Sequence, residues 1–137
     1  LCTMDSLYEE LEKADIIVSS LPGSKSTYHL FDEEALSHVK KKPIFVNVGR
    51  GSLIDSNTLE KALKEKIFSG AYIDVTDPEP LPKDSSLWNL NNLIITPHVT
   101  GGYHLDETLN RIVQISATNI KNYCEGKEII NKVKIGE

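Results

Sequence analysis

A parallel α/β sheet is the fold class this sequence predicts, and three observations carry it. Four short apolar runs are continuous where a half-exposed strand would alternate, the pattern of strands buried on both faces. Between them lie stretches with leucines one helical turn apart, so the hydrophobic period switches back and forth between strand and helix. Interleaved in this way, the runs compose βαβ units. The 137 residues suffice for one domain with a real core, and not for two comfortable ones.

The first element, "SLYEELEKA" (residues 6–14), carries Leu7 and Leu11 on one face and offers Ser6 as a helix N-cap. "DIIVSSLP" (15–22) is an apolar run stopped by proline, a first strand. "DEEALSHVKKK" (32–42) reads as a helix capped by Asp32, with acids first and lysines last, as the helix dipole favours. "PIFVNV" (43–48) is the second strand. "SNTLEKALKEK" (56–66) is a helix with Leu59 and Leu63 on one face, stopped near Gly70. "AYIDV" (71–75) and "NLIITP" (92–97) are the third and fourth strands. "ETLNRIVQISATNIKNYCEG" (107–126) closes as a long core or domain-linking helix, with Gly126 as its C-terminal cap. Between the last two strands, "TDPEPLPKDSSLWNLNN" is long and proline-rich, and loops of this length in compact domains tend to be functional.

Composition excludes several classes. A net charge of −5 argues against nucleic acid or an anionic membrane as partner. The one basic run, Lys40-Lys41-Lys42, falls where a helix should end. No apolar run approaches the roughly 20 residues that span a bilayer. Cys2 and Cys124 have no metal-binding spacing, so no metal is expected and a reducing, cytoplasmic setting is the default.

In an open parallel sheet, ligands bind beyond the carboxyl ends of the strands. There the second strand runs into Val48-Gly49-Arg50-Gly51, the third into Asp74 and then Asp77-Pro78-Glu79-Pro80, and the fourth into Thr96-Pro97-His98. An arginine, a carboxylate and a histidine are thereby directed to one rim. Histidine both gives and takes a proton near neutral pH. A carboxylate bonded to it fixes the tautomer and favours imidazolium. A guanidinium fork matches a carboxylate. The trio suits a 2-oxo acid, its carboxylate on Arg50 and its carbonyl oxygen protonated by His98, provided a hydride donor is present. Each residue also has a plainer reading. His98 could be a structural histidine, Glu79 a solvated loop residue, Arg50 a structural cation and Asp74 a turn cap. Trp88 reads as packing, and His29, His38 and His104 as surface residues.

The motifs "NVGRGSLID", "GAYIDVTDPEPLP" and "NLIITPHVTGG" resemble the D-isomer-specific 2-hydroxyacid dehydrogenase family, and "LPGSKSTYHLF" fits the same pattern. The resemblance covers nearly the whole chain. It implies the C-terminal half of a Rossmann-type parallel sheet with flanking helices, and a homodimer. It implies Arg50, Glu79 and His98 as catalytic residues, with Glu79 holding His98. It implies NAD or NADP as cofactor, bordered by Pro22, Thr27, Val48, Gly49, Arg50, Asp74, His98 and Gly101, and a small 2-oxo or 2-hydroxy acid as substrate. The family's G-x-G-x-x-G phosphate loop is not in this sequence: Gly49 and Gly51 form a GxG without the third glycine. The expectation is therefore one partial NAD(P)-binding domain over residues 1–137, with the glycine loop and most of a substrate domain lying outside it. Such a piece is expected to be inactive by itself. A corepressor-like module of the same fold, sensing dinucleotide without turnover, is the alternative function.

Overall fold

Four parallel strands in sequential order form the sheet, and this order decides which side of it is covered. The computed structural model describes residues 1–102 and 105–132 and divides the chain into two compact units, Leu1–His98 and Val99–Glu137. In the first unit the strands are β1 (Ile16–Ser19), β2 (Ile44–Asn47), β3 (Gly70–Ile73) and β4 (Leu93–Ile95). The helices are α1 (Leu7–Lys13), α2 (Glu33–Ser37) and α3 (Ser56–Lys64). Every predicted strand and helix is present, each shorter than its sequence pattern.

Register aligns Ile17, Phe45, Ala71 and Leu93 across the sheet, and likewise Ser19, Asn47, Ile73 and Ile95. This face is buried on β2 and β3 and half-buried at Ile17, Leu93 and Ile95. Right-handed crossovers between successive neighbours place every connection on the same side. Accordingly Ala35 and Leu36 of α2, Leu59, Ala62 and Leu63 of α3, and Leu87 share one core cluster with Phe45 and Ile73. Phe68 stacks on Phe45 at 4.8 Å between ring centroids, and Phe31 tilts against it at 5.2 Å. Truncating a buried ring of this kind costs about 3–5 kcal/mol.

The opposite face corrects the expectation of strands buried on both sides. Ile16, Val18, Ile44 and Ile94 are between 48% and 66% exposed. The continuous apolar runs are those of a two-sided sheet, but sequential winding covers one side alone.

The helix ends also differ from the pattern. Ser6 occupies the N-cap position of α1 but makes no capping bond, because a short 3₁₀ turn, Met4–Ser6, leads into the helix. Asp32 caps α2 as predicted, accepting from Ala35 N–H at 2.9 Å. The helix stops at Ser37, its last turn tightened by bonds from His38 to Ala35 and from Val39 to Leu36. The lysine run lies beyond it. Lys40 donates to the Ser37 carbonyl and Lys41 pairs with Asp15, so both serve the fold's own groups. Asp55 caps α3, accepting from Asn57 and Thr58 N–H. That helix is ended by Lys66 at φ +59, not by Gly70. Ile67 N–H reaches Ala62 O and Lys66 N–H reaches Leu63 O, which satisfies the terminal carbonyls. Gly70 is instead the first residue of β3.

The second unit holds α4 (Asp106–Cys124), which ends at Gly126 (φ +64) as predicted. Lys127 N–H bonds Asn122 O and Gly126 N–H bonds Tyr123 O. Asn119 pairs through both amide atoms with Ile130, laying the next segment back along the helix. No residue of α4 is buried among the described residues.

Candidate active site

The register that aligns Ser19, Asn47, Ile73 and Ile95 carries on into the residues beyond them, so four exit loops share one edge of the sheet. Val48 N–H bonds Ser19 O at 2.9 Å, Asp74 N–H bonds Asn47 O at 2.9 Å, and Thr96 N–H bonds Ile73 O at 3.0 Å. Two glycines permit closer approach. A Cβ on Gly49 would meet Leu21 O at 2.5 Å, and one on Gly51 would meet the Thr76 carbonyl at 2.1 Å. Neither position admits a side chain.

Arg50 lies exposed on this edge, its Nη1 donating to Gly49 O at 2.7 Å. It makes no ion pair among the described residues. Its loop is set by Asn47, a side chain 1% exposed that sequence reasoning passed over. Asn47 Oδ1 accepts from Gly49 N–H at 3.0 Å and its Nδ2 donates to Arg50 O at 2.8 Å. A polar residue closing an otherwise apolar strand, directly before the glycine-arginine turn, was the available signal.

Glu79 and His98 meet. Nδ1 of His98 lies 2.8 Å from Glu79 Oε1, with both side chains roughly half exposed. An ionised carboxylate only accepts, so Nδ1 carries the proton toward it. The opposite nitrogen, Nε2, makes no hydrogen bond among the described residues. His98 has φ +51 and donates its backbone N–H to Asp74 O at 2.9 Å. Asp74 itself is 1% exposed. Beside this pair a cavity of about 370 Å³ is lined by Asp74, Thr76, Glu79, Leu81, Trp88 and Thr96. Trp88 packs on its own loop and not in the core. It is half exposed over that cavity, its indole N–H on Pro82 O at 2.8 Å, and Leu87 is the buried neighbour.

Pro22 and Thr27 belong to one loop, in which Thr27 Oγ1 donates to Pro22 O at 2.7 Å and Ser24 N–H bonds Thr27 Oγ1. Gly23 in that loop sits against Arg50, where a Cβ would reach Arg50 Cγ at 3.4 Å. Val48 is half-buried between the β1 and β2 exits. Gly101 lies in the second unit with φ +77 and open space around it. His104 lies outside the described residues. His29 stacks on Tyr28, and His38 stacks on Tyr8 and bonds Glu12. Among the described residues no group of three or more His, Cys, Asp and Glu could hold a metal ion, and no helix is long and apolar enough to cross a membrane.

The class that fold and site define is an α/β protein whose four-stranded parallel sheet carries an arginine, a buried aspartate and a carboxylate-bound histidine on its carboxyl edge. Residues 1–100 match the D-isomer specific 2-hydroxyacid dehydrogenase family over its NAD binding domain, and the chain belongs to that family. It is 37% identical over 117 residues to a glyoxylate reductase of Korarchaeum cryptofilum, covering 85% of this chain and 35% of that protein. It is 39% identical over 111 residues to an (S)-sulfolactate dehydrogenase of Chromohalobacter salexigens, covering 81% and 35%. The chain thus spans about a third of the length of these curated relatives. Among solved structures, a D-isomer specific 2-hydroxyacid dehydrogenase of Xanthobacter autotrophicus, in complex with NADPH and MES, superposes with a TM-score of 0.82 at 30% identity. That match covers 96% of this chain and 52% of that one.

Proposed function

We infer that the protein containing this chain is an oxidoreductase that reduces a small 2-oxo acid to a D-2-hydroxy acid, or runs the reverse reaction, with NAD(P)H. The reading rests on one observation above the others: the Glu79–His98 pair at 2.8 Å, on the same sheet edge as an arginine with no ion-pair partner among the described residues. Arg50 takes the substrate carboxylate on its planar fork and orients the adjacent carbonyl. His98 gives the proton on Nε2 to the carbonyl oxygen as that oxygen becomes an alcohol. In oxidation it takes the proton back. Glu79 holds the ring by Nδ1, so that the other nitrogen faces the substrate, and its charge offsets that of the imidazolium.

The close backbone packing at Gly49 and Gly51 and the exposed Arg50 beside them support a dinucleotide on this edge. Pro22, Thr27, Val48, Gly49, Arg50, Asp74 and His98 are the residues of the first unit that would border it, Gly101 being carried over from the family resemblance alone, and when bound it supplies or accepts the hydride at the substrate's C2. Assembly as a homodimer and a cytoplasmic setting belong to the same proposal. So does the placing of residues 1–137 as one partial nucleotide domain. Relatives named as glyoxylate reductases point to short oxo acids. A turnover assay on the full-length protein, with glyoxylate and hydroxypyruvate against NADH and NADPH, tests the reading. Oxidation of the cofactor dependent on oxo acid is the expected result. Dinucleotide binding without turnover on any oxo acid would overturn it in favour of a corepressor-like module.

A further inference from the structure

Behind the exposed pair lies a part-buried line of hydroxyls that acid–base chemistry does not itself require. Tyr72, on β3, points its hydroxyl to Thr96 Oγ1 at 2.8 Å, and Thr96 Oγ1 donates to Asp74 Oδ1 at 2.5 Å. The direction of donation follows from proton count. An ionised carboxylate accepts only, so the single Thr96 proton goes to Asp74 and the Tyr72 proton goes to Thr96. Each bond in such a chain polarises the next, and away from bulk water both are strengthened. Asp74 is 1% exposed, and a carboxylate so buried is tolerable only where donors reach it.

The chain has a second end. Asp74 O accepts the backbone N–H of His98, and Thr96 O accepts the same N–H at 3.1 Å. Thr96 and Asp74 therefore grip the His98 amide by their carbonyls and each other by their side chains. His98 takes φ +51, in the left-handed region, which is strained for a residue other than glycine and persists only where its surroundings impose it. Arg50 is held separately, by Asn47 on the β2 exit.

We propose that Tyr72 and Thr96 are positioning residues that, through Asp74, hold the His98 backbone in the conformation that presents its ring to substrate. The proposal rests on the reading of His98 as the proton donor. It separates two functions of the site: the proton donor depends on the hydroxyl chain and the carboxylate anchor does not.

Three variants of the full-length protein test it. Thr96→Val removes the middle hydroxyl and keeps the shape. Thr96→Ser restores the hydroxyl, and Tyr72→Phe removes the outer one. At saturating dinucleotide, Thr96→Val is expected to lower kcat for oxo-acid reduction about tenfold, the scale of one hydrogen bond to a charged group, with KM for the acid within about twofold. Thr96→Ser is expected to recover most of the loss, and Tyr72→Phe to lose about threefold.

Amide hydrogen exchange reads the same geometry without turnover. The His98 amide is expected to exchange about tenfold faster in Thr96→Val and at the parental rate in Thr96→Ser, with the Phe45 amide as internal reference. An unchanged His98 amide in Thr96→Val overturns the proposal. A Thr96→Ser variant as impaired as Thr96→Val also overturns it, since the methyl group and not the hydroxyl would then matter. If the parental protein reduced no oxo acid, the exchange data would still decide positioning, and the missing turnover would count against the proposed function instead.

Discussion

His98 combines an exposed ring nitrogen with a backbone held at φ +51, and a test of its role has to respect both. Asparagine accepts the left-handed region better than alanine and does not titrate near neutrality. His98→Asn is therefore expected to lower kcat by about 10²–10⁴-fold, the usual share of general acid–base catalysis, with KM changed far less. Steady-state kinetics on the full-length variant check this, and a parental kcat would remove His98 from the mechanism. Arg50→Lys keeps the charge and loses the fork, so kcat/KM for oxo acids should fall by a much larger factor than dinucleotide affinity does. Calorimetric titration beside kinetics distinguishes the two losses. The placing of Arg50, Glu79 and His98 was legible in the sequence because each stands in a loop beyond a strand, where topology alone directs it to the carboxyl edge of the sheet. Asn47, Tyr72 and Thr96 were not. They sit inside apolar runs, where one polar residue looks like a blemish in a strand until its partners are known.

Elements were easier to place than to delimit. Apolar periodicity located all four strands and the four α-helices, because burial of one face is what creates that periodicity. Ends are set by hydrogen bonds too local for it to register, as at Ser37 and Lys66. Asp55 is the cap with the clearest electrostatic signature. Burial pushes its carboxyl up, but bonds from the Thr58 hydroxyl and from the Thr58 and Asn57 amides outweigh this and hold it below the ordinary aspartate value. A carboxyl depressed in the folded state stabilises fully above its unfolded value, about 3.9, and loses that contribution as pH falls through the folded value. Asp55→Ala is thus expected to cost about 1 kcal/mol at neutral pH. The gap in Tm between parent and variant should stay constant down to about pH 5 and close below about pH 4. Thermal melts across that range check it, and a gap that widened in acid would contradict the cap. Lys66→Gly should stabilise by about 0.5–1 kcal/mol, since glycine takes a positive φ without strain. Denaturant midpoints measure that difference.

For the molecule as a whole, the bare side of the sheet has the largest physical consequence. Ile16, Val18, Ile44 and Ile94 expose apolar side chains on three of the four strands, and β1 lies at an open edge. Surfaces of both kinds associate with whatever apolar surface is available. A polypeptide of residues 1–137 alone is therefore expected to self-associate, and Val18→Lys with Ile94→Lys to reduce it. Light scattering behind a sizing column decides, and a monodisperse monomer of the parental polypeptide would contradict it. The sequence indicated that these runs were strands but not that one side was bare, because an apolar residue reads the same whether its cover is in the chain or elsewhere. The winding order β1-β2-β3-β4 also bears on synthesis. Each strand finds its neighbour in the strand made just before it, so the sheet can grow from the ribosome in the order of translation, without waiting for a distant segment. The Arg50 turn is then complete while Glu79 and His98 are still being made. His98, last of the three to emerge, docks on a sheet edge already built.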